Sequence, residues 1–236
     1  HAIHLSVRPR RSDGSDIPWA QLAEAGPGDP VYDEMMGWID RILALPAGTY
    51  ITINHEPETR DSAPSGTAED FVAMWRRFAQ LLRERGGADV PLVWTITGGA
   101  FRGATATTWY PGDDVVDVIA GDLYNWHRCQ GSERDWVSFE DLLAPVLAFA
   151  EDRDKPVAVP EFASVEDPAD PERKAAWIRS TTEYLLRPEV ADQVAFVAWF
   201  DVTGAGGEWV DCVWDHDSSA ASTEAFDEMI RSLGAG

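Results

Sequence analysis

The sequence predicts an α/β fold, a (β/α)8 TIM barrel of which this chain carries six βα units. Short apolar, largely β-branched runs alternate with longer amphipathic stretches along its 236 residues. This is the pattern of strands buried on both faces of a parallel sheet and connected by helices. No internal repeat or low-complexity linker interrupts the alternation. We therefore expect one catalytic domain over residues 1–236, close to the roughly 250 residues typical of such barrels.

The expected strands are short and are bounded by Gly, Pro or polar residues. Candidate helices lie between the strands, so the crossovers between neighbouring strands should be right-handed. A closed barrel needs about eight strands, so two βα units are missing from this count. The predicted strands lie at 3–7, 50–54, 92–96, 115–121, 157–161 and 194–200.

The clearest predicted helix has an apolar stripe at i, i+3, i+4 and i+7 spacing over residues 71–82. Thr67 is its expected N-cap and Gly86 its C-terminal stop. A second helix should begin with Asp170 as its cap and Pro171 at its first position. The remaining helices are expected at 32–45, at 139–150 with a kink or late start at Pro145, and at 219–233.

The charge balance restricts the partners of the chain. With a formal net charge of −22, its surface should repel nucleic acid, anionic lipid and acidic polysaccharides. No apolar run is long enough to span a membrane, which takes about 18 residues. Eleven tryptophans fit either core packing or stacking against the flat apolar faces of sugars. A neutral substrate is therefore favoured.

Two glutamates follow apolar runs in the expected strands, Glu56 after the second and Glu161 after the fifth. The active sites of parallel barrels lie at the carboxyl ends of the strands. Burying a carboxylate there is unfavourable unless it is paired, so a structural salt bridge is the alternative for each residue. Two carboxyl groups are also what glycoside cleavage requires, one as acid and the other as nucleophile or base.

These motifs resemble those of clan A glycoside hydrolases, and within the clan those of family 26, which includes β-mannanases. The resemblance extends over nearly the whole chain, and it rests on the order and spacing of the motifs. The matching segments are His55 and Glu56, 109–117 with 121–124, 155–162, and the single residues Trp94 and Trp199.

The resemblance implies that the six strands are barrel strands 3 to 8 and that strands 1 and 2 lie upstream. It makes Glu56 the acid/base and Glu161 the nucleophile of a retaining double displacement, with no cofactor and no metal. Tyr124 would donate a hydrogen bond to Glu161, and His55 would orient Glu56 or contact the sugar. Trp199 would lie under the reacting sugar, and Trp94 is a further substrate contact.

The resemblance also suggests a substrate. Mannan is the first expectation, followed by β-glucan or xylan. The family continues its His-Glu pair with a turn rich in aromatic residues, whereas this chain continues with residues 57–62 and has no aromatic residue before Phe71. This difference in the loop weakens the expectation of mannan as substrate more than it weakens the assignment as a glycosidase.

Weaker candidates surround these motifs. Trp126 and His127 should line the substrate cleft, while Glu58 is expected further out on its loop. Arg8 is expected to pair with an acid rather than bind sugar. The acidic run 211–217 lacks the regular ligand spacing of a calcium site, so a solvated loop is favoured.

Cys129 and Cys212 both follow expected strands. They could form a disulfide or remain two free thiols. We expect a secreted monomer that binds polysaccharide or oligosaccharide.

Two other functions compete with the glycosidase. A carbohydrate-binding barrel without activity would keep the tryptophans but would need neither glutamate. A lyase or a metal-dependent hydrolase would need His and Asp clustered at the strand ends, and the five histidines do not recur there.

Overall fold

The computed structural model describes residues 3–11, 13–129, 135–202 and 212–234. The chain forms two compact units, His1–Ala120 and Gly121–Gly236, which are described in turn. Within the described residues, no helix is both long enough and apolar enough to cross a bilayer.

The first unit is built on parallel strands. β1 pairs with β2 in parallel register, and a parallel bridge joins Ile51 of β2 to Leu92, the residue before β3. The N–H of Val118, at the start of β4, donates to the carbonyl of Leu92 at 3.1 Å. The elements are β1 (His4–Val7), α1 (Trp19–Glu24), α2 (Pro30–Leu43), β2 (Tyr50–Ile53), α3 (Ala68–Glu84), β3 (Val93–Thr97), α4 (Gly98–Arg102), α5 (Ala106–Trp109) and the beginning of β4 (Val118–Asn125).

The predicted boundaries of α3 are confirmed. The Thr67 hydroxyl accepts the N–H of Asp70, and the Asp70 carboxylate accepts the N–H of Thr67, which together form a capping box. At the other end the helix stops two residues before Gly86, whose φ is +101°. Its apolar face is buried and packs against α1, where Trp19 meets Phe71 edge-on at 5.3 Å.

The second unit contains the rest of β4 and two further strands. β4, β5 and β6 are neighbours in that order, and β5 pairs with β6 in parallel. Phe139 and Phe162 pack edge-on at 5.2 Å in the core between helices and sheet. The elements are β4, α6 (Phe139–Glu151), β5 (Val157–Ser164), α7 (Arg173–Leu185), α8 (Pro188–Ala191), β6 (Val194–Trp199) and α9 (Ala220–Leu233).

Two strand predictions need correction. The fourth strand starts at Val118 rather than at residue 115, because the buried residues before it form a turn. In that turn the Val115 carbonyl accepts the indole N–H of Trp75 at 3.0 Å. The fifth strand continues to Ser164, so Glu161 lies within β5 rather than after it.

Two helix predictions also need correction. The helix expected to start at Pro171 begins at Arg173, because the Asp170 carboxylate accepts the N–H of Glu172 and stabilises a turn instead of a cap. No late start occurs at Pro145, since α6 begins at Phe139 and continues through that proline. The short helices α1, α4, α5 and α8 were not predicted, because four to six residues are too few to show a helical period.

Candidate active site

Glu56 lies in a strained segment directly after β2. Asn54 has φ +53° and Glu56 has φ +48°, in the left-handed region that costs a non-glycine residue about 1 kcal/mol or more. Both N–H groups are fixed by neighbouring strands: Asn54 donates to the Val7 carbonyl at 2.8 Å, and Glu56 to the Thr95 carbonyl at 3.0 Å. Strain held by such contacts is typical of functional sites.

The loop after Glu56 is closed by side chains. The Thr59 hydroxyl donates to the carbonyl of Glu56 at 2.9 Å. One carboxylate oxygen of Glu58 accepts the N–H of Thr97 at 2.6 Å. Burial raises the pKa of Glu58, although the hydrogen bond from Thr97 opposes this effect. Glu58, which was expected further out on the loop as a secondary cleft residue, is therefore packed against the end of β3.

Two histidines of the first unit lie near each other, and one of them, His55, directly precedes Glu56. His55 Nδ1 lies 3.1 Å from the hydroxyl of Ser6. His4 Nε2 lies 2.8 Å from the hydroxyl of Thr52. Burial, and to a lesser extent the nearby His55, lowers the pKa of His4 to about 4. His4 is therefore neutral at ordinary pH.

A small pocket of about 80 Å³ opens beside Glu56, enough space for roughly two or three water molecules. At its rim Arg8 forms a 3.0 Å ion pair with Asp16, which confirms the expected pairing with an acid. Its lining residues are Arg8, Asn54, His55, Glu56, Thr59, Asp61 and Ser62.

Trp94 belongs to the core of the first unit. Its side chain is fully buried, and its ring meets Phe101 and Tyr110 edge-on at 5.9 and 4.9 Å. A ring surrounded in this way has no face left for a sugar. The expected contact between Trp94 and substrate does not fit this placement.

Glu161 is the central acidic residue of the second unit. It projects from β5, and the hydroxyl of Tyr124 on β4 donates to its Oε2 at 2.5 Å. The expected hydrogen bond is therefore present, and its length is that of a charge-assisted bond to a carboxylate. It fixes the orientation of the carboxylate.

An aromatic cluster surrounds Tyr124. Its ring packs against Trp126 at 5.4 Å, Trp214 at 4.9 Å and Phe200 at 5.6 Å. Trp199 is half-buried at the end of β6, and its indole N–H donates to the carbonyl of Trp214 at 2.9 Å. These rings form a largely apolar cluster around Tyr124, the residue whose hydroxyl binds Glu161.

Cys129 and Cys212 form a disulfide, so the disulfide hypothesis is confirmed and the free-thiol alternative is wrong. Both residues are buried in the same cluster as Trp214. The bond ties the segment after β4 to the segment that carries Trp214.

His127 lies in a separate polar cluster of the second unit. Its side chain is only 10% exposed, and its Nε2 lies 3.6 Å from Asp167. Its ring meets Trp136 edge-on at 5.3 Å, while Arg173 covers a face of Trp136 at 4.4 Å and pairs with Asp167 at 2.6 Å. Little of the imidazole is therefore open to a substrate.

A buried cation behind Trp199 was not predicted from the sequence. Lys174 is fully buried, and its Nζ donates to the carbonyl of Asp215 at 2.7 Å and to the hydroxyl of Ser218 at 2.8 Å. Ser218 in turn donates to Glu166 at 2.6 Å. Burial lowers the pKa of Lys174 to about 8. The helical period gave a signal, since Lys174 lies three residues before the buried Trp177 and shares its helix face.

The acidic run 211–217 lies partly outside the described residues. Within the described part, His216 Nδ1 lies 2.9 Å from Asp201. Across the described ranges no group of three or more His, Cys, Asp or Glu side chains could hold a metal ion.

Comparison with known proteins gives a consistent picture. No family model matches the chain. Endoglucanase H of Acetivibrio thermocellus is 28% identical over 170 residues, which are 72% of this chain but only 18% of that protein.

Solved structures extend the comparison. A family 26 β-mannanase from Bacteroides ovatus superposes with a TM-score of 0.62 at 21% identity, covering 98% of this chain and 68% of that one. A family 26 endo-β-1,4-mannanase catalytic domain from Bacillus sp. JAMB-750 gives a TM-score of 0.64 at 17% identity, covering 98% and 65%.

The parallel strands and these superpositions define a fold of the TIM-barrel type. The chain resembles clan A glycoside hydrolases and, within the clan, family 26.

Proposed function

We propose that this chain carries the catalytic residues of a glycoside hydrolase that cleaves a neutral β-linked polysaccharide. The observation that carries the proposal is the Glu161 carboxylate, which accepts a 2.5 Å hydrogen bond from Tyr124, a residue packed in a cluster of aromatic rings. The strained Glu56 in the first unit supplies the second carboxyl group. The similarity to mannanases and to Endoglucanase H supports the same class of reaction.

The proposed mechanism is a double displacement with retention. Glu161 attacks the anomeric carbon while Glu56 protonates the departing glycosidic oxygen, which gives a covalent glycosyl-enzyme. Glu56, now a carboxylate, then takes a proton from water, and that water releases the sugar from Glu161. The reaction needs no metal and no cofactor.

Mannan is the first substrate to test, with β-glucan and xylan next. Both of the solved structures compared above are mannanases, and the similar curated protein is an endoglucanase. In the proposal Trp199 stacks under the reacting sugar, with Tyr124 and Trp126 beside it. His55 contacts the sugar near Glu56, and His127 stands at the margin of the cleft.

The proposal includes the setting of the domain. The disulfide between Cys129 and Cys212 supports a secreted protein, because such bonds persist in oxidising compartments. Ile3 and Leu5 around β1 are 48% and 40% exposed. Exposed apolar residues on a strand fit pairing with two further βα units upstream. We propose one barrel domain acting as a monomer on polysaccharide or oligosaccharide.

The decisive experiment measures reducing-sugar release from mannan, β-glucan and xylan by wild type, Glu56→Gln and Glu161→Gln. We expect a rate loss of about 10²–10⁴-fold for Glu56→Gln, which is typical for a general acid/base, and a loss at least as large for Glu161→Gln. Glu151→Gln, an exposed position at the end of α6, is the matched control and should retain full activity.

Two outcomes would contradict the proposal. Unchanged release in either active-site variant would remove that residue from its role. Glycan binding by folded wild type without any release would instead favour the carbohydrate-binding barrel. Proton NMR of the first product tests retention, because the β-anomer must appear before its equilibrium mixture.

A further inference from the structure

Glu58 is a third carboxylate in the Glu56 loop, and the proposed chemistry does not use it. Its Oε1 accepts the Thr97 N–H at 2.6 Å. Its Oε2 is buried and has no hydrogen-bond partner within the described part of the chain. A buried carboxyl group with one oxygen unpaired is unfavourable, so its contact with Thr97 should serve a purpose.

The backbone hydrogen bonds around Glu56 show which bond the contact between Glu58 and Thr97 replaces. In a regular parallel ladder a residue donates to one residue of its neighbour strand and accepts from the residue two positions further on. Glu56 makes the first bond, from its N–H to the Thr95 carbonyl at 3.0 Å. The second bond would join the Thr97 N–H to the Glu56 carbonyl.

That second bond is absent because the Glu56 backbone has turned into the left-handed region, with φ +48°. The Glu56 carbonyl instead accepts from the N–H and the hydroxyl of Thr59, at 3.3 and 2.9 Å. The Thr97 N–H is left without its ladder partner, and the Glu58 carboxylate takes that place.

We propose that Glu58 is a positioning residue that holds Glu56 in its strained conformation by substituting its carboxylate for the missing ladder carbonyl. Without this bond the loop loses its attachment to β3, and Glu56 can relax toward ordinary backbone angles. Glu58 thus acts through the backbone and does not contact substrate. The inference rests on the proposed function, in which Glu56 is the acid/base.

The test compares side-chain and backbone variants. Glu58→Ala removes the acceptor, and we expect kcat on the best glycan to fall about ten-fold or more, as for a misplaced catalytic group. KM should change little. Glu58→Gln keeps an acceptor oxygen and should restore most of the rate, whereas a role that needs the negative charge would leave Glu58→Gln as impaired as Glu58→Ala.

Thr97→Pro removes the backbone N–H that donates to the Glu58 carboxylate. Thr97 has φ −64°, which proline adopts without strain. Because the Thr97 hydroxyl also caps α4 by accepting from Ala100, Thr97→Ala is the matched control that loses the cap but keeps the N–H. Thr97→Pro should lower kcat below that of Thr97→Ala, whereas in the Glu58→Ala background the two Thr97 variants should have the same kcat. Fully additive losses would overturn the proposal.

Hydrogen exchange of the Thr97 amide separates this inference from the proposed function, because it does not depend on activity. Exchange should be slow in wild type and Glu58→Gln and faster in Glu58→Ala. Equal exchange in all three proteins would refute the bond. Faster exchange with an unchanged kcat would refute its role in positioning. A wild type that exchanges as expected but cleaves no glycan would contradict the proposed function, and with it the positioning role, while leaving the bond established.

Discussion

At the scale of single residues, the second unit places a buried cation behind an aromatic ring of the candidate site. The Nζ of Lys174 lies 5.8 Å from the ring centre of Trp199. Lys174 binds the Asp215 carbonyl, and Trp199 binds the carbonyl of the preceding Trp214. The backbone at residues 214 and 215 is therefore held by hydrogen bonds from both Trp199 and Lys174. Ser218 gives its only hydroxyl hydrogen to Glu166, so it must accept from Lys174 and links the cation to a counter-charge.

Lys174 should make stability depend on alkaline pH. Burial lowers its pKa from 10.5 to about 8, although four acids, Glu166, Asp215, Asp201 and Asp217, oppose the shift. Between those two values the unfolded chain binds a proton that the folded chain does not, so stability should rise with pH. As the pH rises from about 8 to 10.5, the free energy of unfolding of wild type should increase by up to about 3 kcal/mol relative to that of Lys174→Met.

Urea unfolding of both proteins across that pH range measures the difference, because groups common to both cancel. Parallel stability curves for wild type and Lys174→Met would show that Lys174 keeps an ordinary pKa. A difference of the opposite sign would mean that the four acids stabilise the charged form more than burial disfavours it.

At the scale of elements, a disulfide in the second unit joins the segment after β4 to the segment that carries Trp214. The disulfide between Cys129 and Cys212 spans 83 residues, and both ends are buried against Tyr124, Trp126 and Trp214. A bond over so long a segment removes many conformations from the unfolded chain. It also holds Trp214, whose carbonyl orients Trp199.

Reduction should therefore destabilise the protein. We expect the free energy of unfolding to fall by about 4 kcal/mol when the bond is reduced, measured by denaturant unfolding with and without dithiothreitol. The double variant Cys129→Ala/Cys212→Ala is the control, and reductant should leave its stability unchanged. Equal stability of oxidised and reduced wild type would contradict the prediction.

Local sequence signals located some element boundaries and missed others. The start of α3 was predictable because Thr67 and Asp70 satisfy each other within four residues. The start of α7 was not, because Asp170 can bond the N–H of Glu172 in a turn as easily as it can cap a helix. The late start of β4 depended on Trp75, which binds the Val115 carbonyl from 40 positions away.

At the scale of the whole molecule, charge is the dominant property. The chain has 41 Asp and Glu against 19 Lys and Arg. Several of its ion pairs are exposed, such as Arg85 with Asp40 and Arg187 with Glu140, and pairs of this kind add little stability. The excess negative charge should therefore act mainly on the approach of charged substrates.

We expect neutral glycans to be preferred over acidic ones with the same linkages. At low ionic strength, release from carboxymethylated glucan should be well below release from unmodified β-glucan. The difference should narrow as salt is raised to about 0.5 M, where charges more than a few ångströms apart are screened. Initial rates on both polymers across a salt series provide the measurement. Equal rates at low salt would show that a local basic region offsets the net charge.

The sequence by itself determined the alternation of strands and helices, the caps of the longest helix and two glutamates near strand ends. These features depend on residues a few positions apart, so the hydrophobic period and the capping side chains can be read from the local sequence. It also suggested the Tyr124 and Glu161 pair through a family resemblance. Only the tertiary structure decided that the two cysteines are bonded, that Trp94 belongs to the core, that Lys174 is paired and that Glu58 binds Thr97. Each of those depends on contacts between segments some 40 to 80 residues apart or on complete burial, which the local pattern of a sequence does not encode.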